Sequence, residues 1–212
     1  MDCGQCEGIE RETRDWAVQD LKRYRSGKPV KTTTLLIQAL QALGVQDLTV
    51  LDIGGGIGAI QLELLAAGAG KATSVDASAA YIEVAKEEAA RKGVAEQISY
   101  LHGDFVALAN QVPPADIVTL DRVICCYHDA RALVDLSAAR AQRLYGLVYP
   151  RDRWWNRLMI RLENLICRLK RSPFRAFVHP TSLVEGLVRR NGLKPVFQKN
   201  TFIWQVVVYS RG

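Results

Sequence analysis

At 212 residues the chain is one domain of ordinary size, long enough to bury a core and too short for a second catalytic unit. Hydrophobic residues make up 49% and charged residues 24%, the proportions of a soluble globular protein, which excludes a disordered or fibrous chain. Lys and Arg number 28 against 22 Asp and Glu, a net +6 that fits an anionic small molecule, a membrane surface or nucleic acid; aromatics do not interleave with the basic runs, which argues against nucleic acid.

The N-terminus, Met1-Asp-Cys-Gly-Gln-Cys6, is polar and acidic where a signal peptide would be basic and then apolar. No segment approaches the ~20 uncharged apolar residues of a membrane span, so a cytoplasmic location is expected and the five cysteines are expected to be reduced. Trp16, Val18, Leu21 and Tyr24 recur at helical spacing and predict a helix over 9–24, stopped at Ser26-Gly-Lys-Pro29. A second helix is predicted over 32–43, ending at Gly44.

The next stretch, Thr49-Val-Leu-Asp-Ile-Gly-Gly-Gly-Ile-Gly58, organises the rest. Val50, Leu51 and Ile53 form a strand that carries Asp52 near its end, and the glycines at 54, 56 and 58 permit a tight turn and close backbone approach to a ligand. Ile60, Leu62, Leu64 and Leu65 continue as a helix to Gly68, aiming its free N–H groups above the turn. The run Gly54-x-Gly56-x-x-Ala59 also satisfies the dinucleotide fingerprint of NAD enzymes, so the loop by itself is ambiguous.

Strand, turn and helix then repeat. A strand over 72–76 ends at Asp76, a helix over 79–92 closes at Gly93, and a strand over 98–101 precedes Gly103-Asp104-Phe105. Pro113-Pro114 leads into a strand over 116–121 ending at Asp121; a helix over 129–143 and a strand over 144–149 follow. Residues 154–169 form an amphipathic basic helix: Trp155, Leu158, Met159, Leu162, Leu165, Ile166 and Leu169 share one face, and Arg153, Arg157, Arg161, Asn164 and Arg168 another. Such a helix is a lid over an apolar substrate, a membrane-surface element, or a core-packed helix with one solvated face. A helix over 181–191 and two strands, 195–198 and 202–209, close the chain as a hairpin. The whole reads as α/β: a Rossmann-like, doubly wound, mostly parallel seven-stranded sheet with a C-terminal antiparallel hairpin and an extra amphipathic helix after strand 5. Residues 1–46 are the N-terminal helical lid region and 47–212 the domain.

Four acids near strand tips (Asp52, Asp76, Asp104 and Asp121) and the motif Asp-x-Gly-x-Gly-x-Gly resemble the class I S-adenosylmethionine-dependent methyltransferase family from about Thr32 onward. The resemblance implies S-adenosylmethionine as cofactor. Asp52, Gly54, Gly55, Gly56 and Gly58 would cradle its methionine part, and Asp76 would accept the ribose hydroxyls. Ala77 and Ser78 would flank the adenine, Asp104 after Gly103 would bind the adenine amino group beside Phe105, and Asp121 and Arg122 would complete the set. N-terminal helices cover the site in this family, so Tyr24 and Arg25 either face substrate or only pack their helix on the sheet. Within the family the second half is most similar to the magnesium-protoporphyrin O-methyltransferases, in the runs Leu120-Asp-Arg-Val-Ile-Cys-Cys-Tyr127, Tyr149-Pro-Arg-Asp-Arg-Trp-Trp155 and Phe174-Arg-Ala-Phe-Val-His179. Cys126 stands where those enzymes have a histidine. Cys125, Cys126, Trp154 and Trp155 are the implied substrate-facing residues.

The reading that follows is methyl transfer to a small molecule, at oxygen, on an amphipathic or ring acceptor. His128 is the candidate base, with Asp121, Tyr127 and Tyr24 behind it. An NAD-dependent oxidoreductase and a non-catalytic cofactor-binding or membrane-peripheral protein, touching the membrane through 153–171, are the alternatives. Cys3-x-x-Cys6 would bind a soft metal or form a redox-sensitive gate only if it converged with Cys125 and Cys126; lacking a second pair at zinc-ribbon spacing, it predicts no metal site.

Overall fold

The computed structural model describes residues 4–212, with side chains from residue 14 onward. Helices α1 (Gly4–Arg25) and α2 (Lys31–Ala42) precede β1 (Thr49–Ile53), α3 (Ala59–Ala66), β2 (Lys71–Asp76), α4 (Ala79–Arg91) and β3 (Ile98–His102). The chain continues through α5 (Phe105–Leu108), β4 (Ala115–Asp121), α6 (Ala130–Arg140) and β5 (Ala141–Pro150), then α7 (Trp154–Leu169), α8 (Thr181–Arg190), β6 (Leu193–Asn200) and β7 (Trp204–Arg211). The seven-stranded sheet has the order β3-β2-β1-β4-β5-β7-β6. Strands β1 to β5 run parallel, and β7 lies antiparallel between β5 and β6.

Alternation along the central strands divides the core into two layers. Leu51 and Ile53 of β1, Val118 and Leu120 of β4, and Tyr145 and Leu147 of β5 face one layer, against Leu133 and Val134 of α6 and Val184 and Val188 of α8. Val50, Ile117, Leu144 and Val148 face the other, against Leu36 and Leu40 of α2 and Ile60 and Leu64 of α3. Residues 52 and 119 share that second face and are partners in the register, which sets an aspartate beside a threonine inside the sheet.

Pairing across the sheet moves some boundaries. Strand β5 begins at Ala141 rather than 144, because Ala141 is buried opposite Ala115 and the ladder captures residues whose own preference is helical. Pro195 sits on the edge strand β6 at a register shift, where its missing N–H costs no ladder bond.

Helix α7 departs from a core-packed reading. Its apolar side is turned outward, with Trp154 72% and Leu169 77% exposed and Leu158, Leu162, Leu165 and Ile166 each about half exposed. Two asparagines hold it instead. Asn156 Nδ2 donates to the carbonyls of Arg151 (2.8 Å) and Ile203 (2.9 Å), while Asn164 donates to the carbonyl of Ala176 and accepts from its N–H, both at 2.8 Å. Among the described residues no helix is long and apolar enough to cross a membrane.

Candidate active site

In a parallel sheet the ligand crevice lies outside the carboxyl ends of the strands, where the chain order reverses; here that is between β1 and β4. A cavity of about 560 Å³ occupies that place, within the range of small-molecule sites. The tips of β1, β2 and β4 and the loop after β3 line its floor, and α1, α7 and the segment around Phe174 wall the rest.

Asp52 is buried under the glycine loop. Its Oδ1 accepts from the Thr119 hydroxyl at 2.7 Å, while its Oδ2 is buried with no hydrogen-bond partner among the described residues. Burial, reinforced by the nearby charges of Asp121 and Asp76, pushes its pKa up to about 7, against a smaller opposing pull from Thr119. Directly above, a Cβ on Gly55 would come within 2.7 Å of Ser74 Oγ and 3.0 Å of Asp52 Oδ2, so this position is glycine for want of space. Gly54, Gly56 and Gly58 have φ angles of 64°, 55° and 81° in the left-handed region, and at Gly54 and Gly58 a Cβ would also strike the side chains of Val123 and Gln61.

Asp76, at the end of β2, fastens the loop. Its Oδ2 accepts the N–H of Gly56 and its Oδ1 the N–H of Ser78, each at 2.9 Å. Ala77 lines the cavity, but Ser78 and Gly58 do not: Ser78 caps α4 by accepting from Tyr81 N, and Gly58 starts α3. Asp104, Gly103 and Phe105 do line it. The Asp104 carboxylate accepts from Tyr127 Oη at 2.8 and 3.1 Å and from Val106 N at 2.9 Å, so Tyr127 holds an acid and is not a free base.

Asp121 leaves β4 into the cavity, its Oδ2 accepting from Thr33 Oγ1 at 2.5 Å and its Oδ1 from Arg122 Nε at 3.3 Å. Arg122 is a non-glycine residue at φ 62°, a strained turn held by its N–H bond to the Val148 carbonyl. Cys125 and Cys126 also face the cavity, their Sγ atoms 3.6 Å apart. The bond between them raises the Cys125 thiol and lowers that of Cys126. Cys3 and Cys6 lie outside the residues whose side chains are described, and among the described residues no three His, Cys, Asp or Glu groups could together hold a metal.

Several residues singled out in the sequence stand elsewhere. His128 is exposed, stacks on Tyr127 with ring centroids 5.2 Å apart, and does not line the cavity. Arg25 points to Glu88 Oε2, 2.8 Å from Nη2, and Trp154 lies on the exposed side of α7. Trp155 stacks on Phe202 at 5.6 Å, outside the cavity. Tyr24 reaches the cavity wall, but its hydroxyl donates to Glu63 at 2.5 Å; burial and that bond push its pKa up to about 12, which rules out a base at neutral pH.

Other residues arrive unannounced. Trp16, Asp20, Tyr81, Met159, Phe174 and Trp204 all line the cavity, and Tyr81 Oη donates to Asp20 at 2.9 Å. Trp16 was legible only as part of a helix face; the convergence of α1 on the strand tips has no local signature.

A family profile described as "Methyltransferase domain" matches residues 50–143, from β1 into β5. Over residues 50–143 the chain matches the methyltransferase family. A ribosomal protein L11 methyltransferase from Alteromonas mediterranea is 31% identical over 119 residues, which cover 53% of this chain and 41% of that protein. The stretch this chain shares therefore spans less than half the length of that curated relative. In fold it is similar to the magnesium protoporphyrin IX methyltransferase of Synechocystis solved with bound S-adenosylhomocysteine (SAH), with TM-score 0.68, 19% identity, and 85% of this chain and 82% of that one covered. It is also similar to an O-methyltransferase family 2 protein from Planctomyces limnophilus in complex with apigenin, with TM-score 0.68, 18% identity, and coverage of 95% and 62%. The nicotinamide reading of the glycine loop falls: the methyltransferase match begins at β1 and contains that loop, and β7 runs antiparallel into the sheet.

S-adenosylmethionine is the cofactor of this methyltransferase class, and the site fits it. The unpartnered Asp52 Oδ2 offers negative charge to a cation, Gly54, Gly55 and Gly56 bring side-chain-free backbone to the cavity wall, and Asp76 stands at the β2 tip beside the loop.

Proposed function

We propose that this methyltransferase acts on an oxygen of an amphipathic small molecule. The supporting observation is the acceptor half of the cavity, where Trp16, Met159, Ile160, Phe174, Ile203 and Trp204 give an apolar, aromatic wall beside a few charged groups. The cofactor, when bound, supplies an activated methyl group on a positively charged sulfur. The chain's part is to bind, orient and exclude water.

Asp52, Asp76 and the glycine turn hold the cofactor end. Helix α1 covers the cavity, with Trp16, Gln19, Asp20 and Arg23 on its lining, and in this reading acts as a lid. In this reading Asp121 takes the proton from the acceptor, its carboxylate held by hydrogen bonds from Thr33 and Arg122. Carboxylates are weak bases, and no histidine is among the described lining residues. That combination suits an acceptor oxygen that ionises easily, a carboxylate or phenol, and not an aliphatic alcohol.

The test is a panel of amphipathic carboxylic acids, phenols, alcohols and amines offered with methyl-labelled cofactor, read by mass spectrometry. Label on acids or phenols, lost in Asp121→Asn for the phenols, is the expected result. Transfer confined to amines, or SAH binding with no acceptor labelled, would overturn the assignment.

A further inference from the structure

The outward side of α7 is unexplained by the fold or the site. It presents Trp154, Leu158, Leu162, Leu165, Ile166 and Leu169 to solvent, and Phe202, 73% exposed at the tip of the β6–β7 hairpin, extends it. At helical spacing Arg157, Arg161 and Arg168 run along one rim of that arc. The segment 151–175 holds eight basic and two acidic residues, so it alone carries as much positive charge as the whole chain's net +6. One of its two acids, Asp152, is already paired with Arg157 at 2.7 Å.

We infer that α7 seats the protein on an anionic lipid surface, its leucines in the acyl boundary and its arginines among the headgroups. A broad apolar arc with a basic rim is the pattern that lies in such an interface. The attachment by Asn156 and Asn164 supports it, since polar side chains hold the inner face and leave the leucines free to enter lipid. A second copy of the chain fits the same face poorly, because apposing two such surfaces brings like charges together.

The surface also adjoins the site. A groove lined by Leu162, Ile166 and Lys170 shares Trp16, Met159 and Phe174 with the cavity, so it opens at the edge of the apolar arc and leads to the acceptor half. The apolar part of the acceptor therefore enters from the lipid side along this groove, a statement that rests on the methyl-transfer reading; the docking itself does not.

The experiment is co-sedimentation of the full chain with mixed phosphatidylcholine/phosphatidylglycerol vesicles and with phosphatidylcholine alone. Binding to the mixed vesicles should be at least about tenfold tighter than to the neutral ones and fall by about tenfold in high salt. The pair Leu158→Glu/Leu165→Glu, exposed positions that do not line the cavity or groove, should lose about tenfold or more while keeping the wild-type melting temperature and SAH affinity. Wild type left in the supernatant, or undiminished binding by the pair, would overturn the proposal. So would a concentration-dependent dimer in light scattering that the pair breaks. The SAH titration on the same preparations is independent, so a failure of docking and a failure of the cofactor reading show up separately.

Discussion

Asp52 is the residue on which the chemistry of the site turns most sharply. A buried carboxyl with a pKa near 7 is half-charged at neutral pH, and a bound cation beside Oδ2 favours the ionised form. Cofactor affinity should rise as pH increases through about 7, with proton release on binding below that point; titration calorimetry in two buffers of different ionisation heat measures the released proton directly. The sign for folding is opposite. The folded protein binds this proton more tightly than the unfolded chain does, so the group's contribution to stability is present at low pH and is lost as pH rises through about 7. Asp52→Asn should weaken S-adenosylmethionine binding by about 10- to 100-fold, the worth of one charge-assisted interaction, while removing that pH-dependent loss. Asp76→Ala leaves the N–H groups of Gly56 and Ser78 without their acceptor, and SAH binding should weaken by about 30-fold or more. Asp52, Asp76 and the glycines were legible in the sequence because each is fixed by a strand and the turn that follows it. The displacement of His128 from the cavity was not, because which way a loop side chain turns is decided by packing, here by stacking on Tyr127.

At the scale of elements, α1 is held down by charge as well as by apolar contact. Glu88 is fully buried on α4 and accepts from Arg91 and Arg25, which lower its pKa to about 2. Its contribution to stability is therefore present above the ordinary glutamate range and lost as pH falls toward about 2. Glu88→Gln should cost about 1–2 kcal/mol in a urea melt at neutral pH, discounted because both arginines are about half exposed, and should flatten the acid limb of the stability profile. Asn164→Leu should free both backbone groups of Ala176 and speed amide exchange around that residue, with a loss of about 1–3 kcal/mol. Asn164 also shows where reading by period stops. The hydrophobic pattern of α7 identified an apolar face correctly, but not its direction. The body of the protein holds the helix by its asparagines because the loops beneath offer unpaired backbone groups.

For the whole molecule, seven strands, their order of appearance and the closing antiparallel hairpin were all readable, since each βα unit carries its own turn signals. The insertion of β7 between β5 and β6 was not, because it depends on pairing between residues some sixty positions apart. The same holds for the cavity, which is a property of convergence: Trp16, Tyr81 and Trp204 come from three different elements and Phe174 from the loop after α7. The most direct test of the account is calorimetric titration of the purified chain with SAH, beside NAD as control. A saturable heat for SAH, absent with NAD and lost in Asp76→Ala, is the predicted result. No heat with SAH, or an equal response from the Asp76 variant, would contradict it.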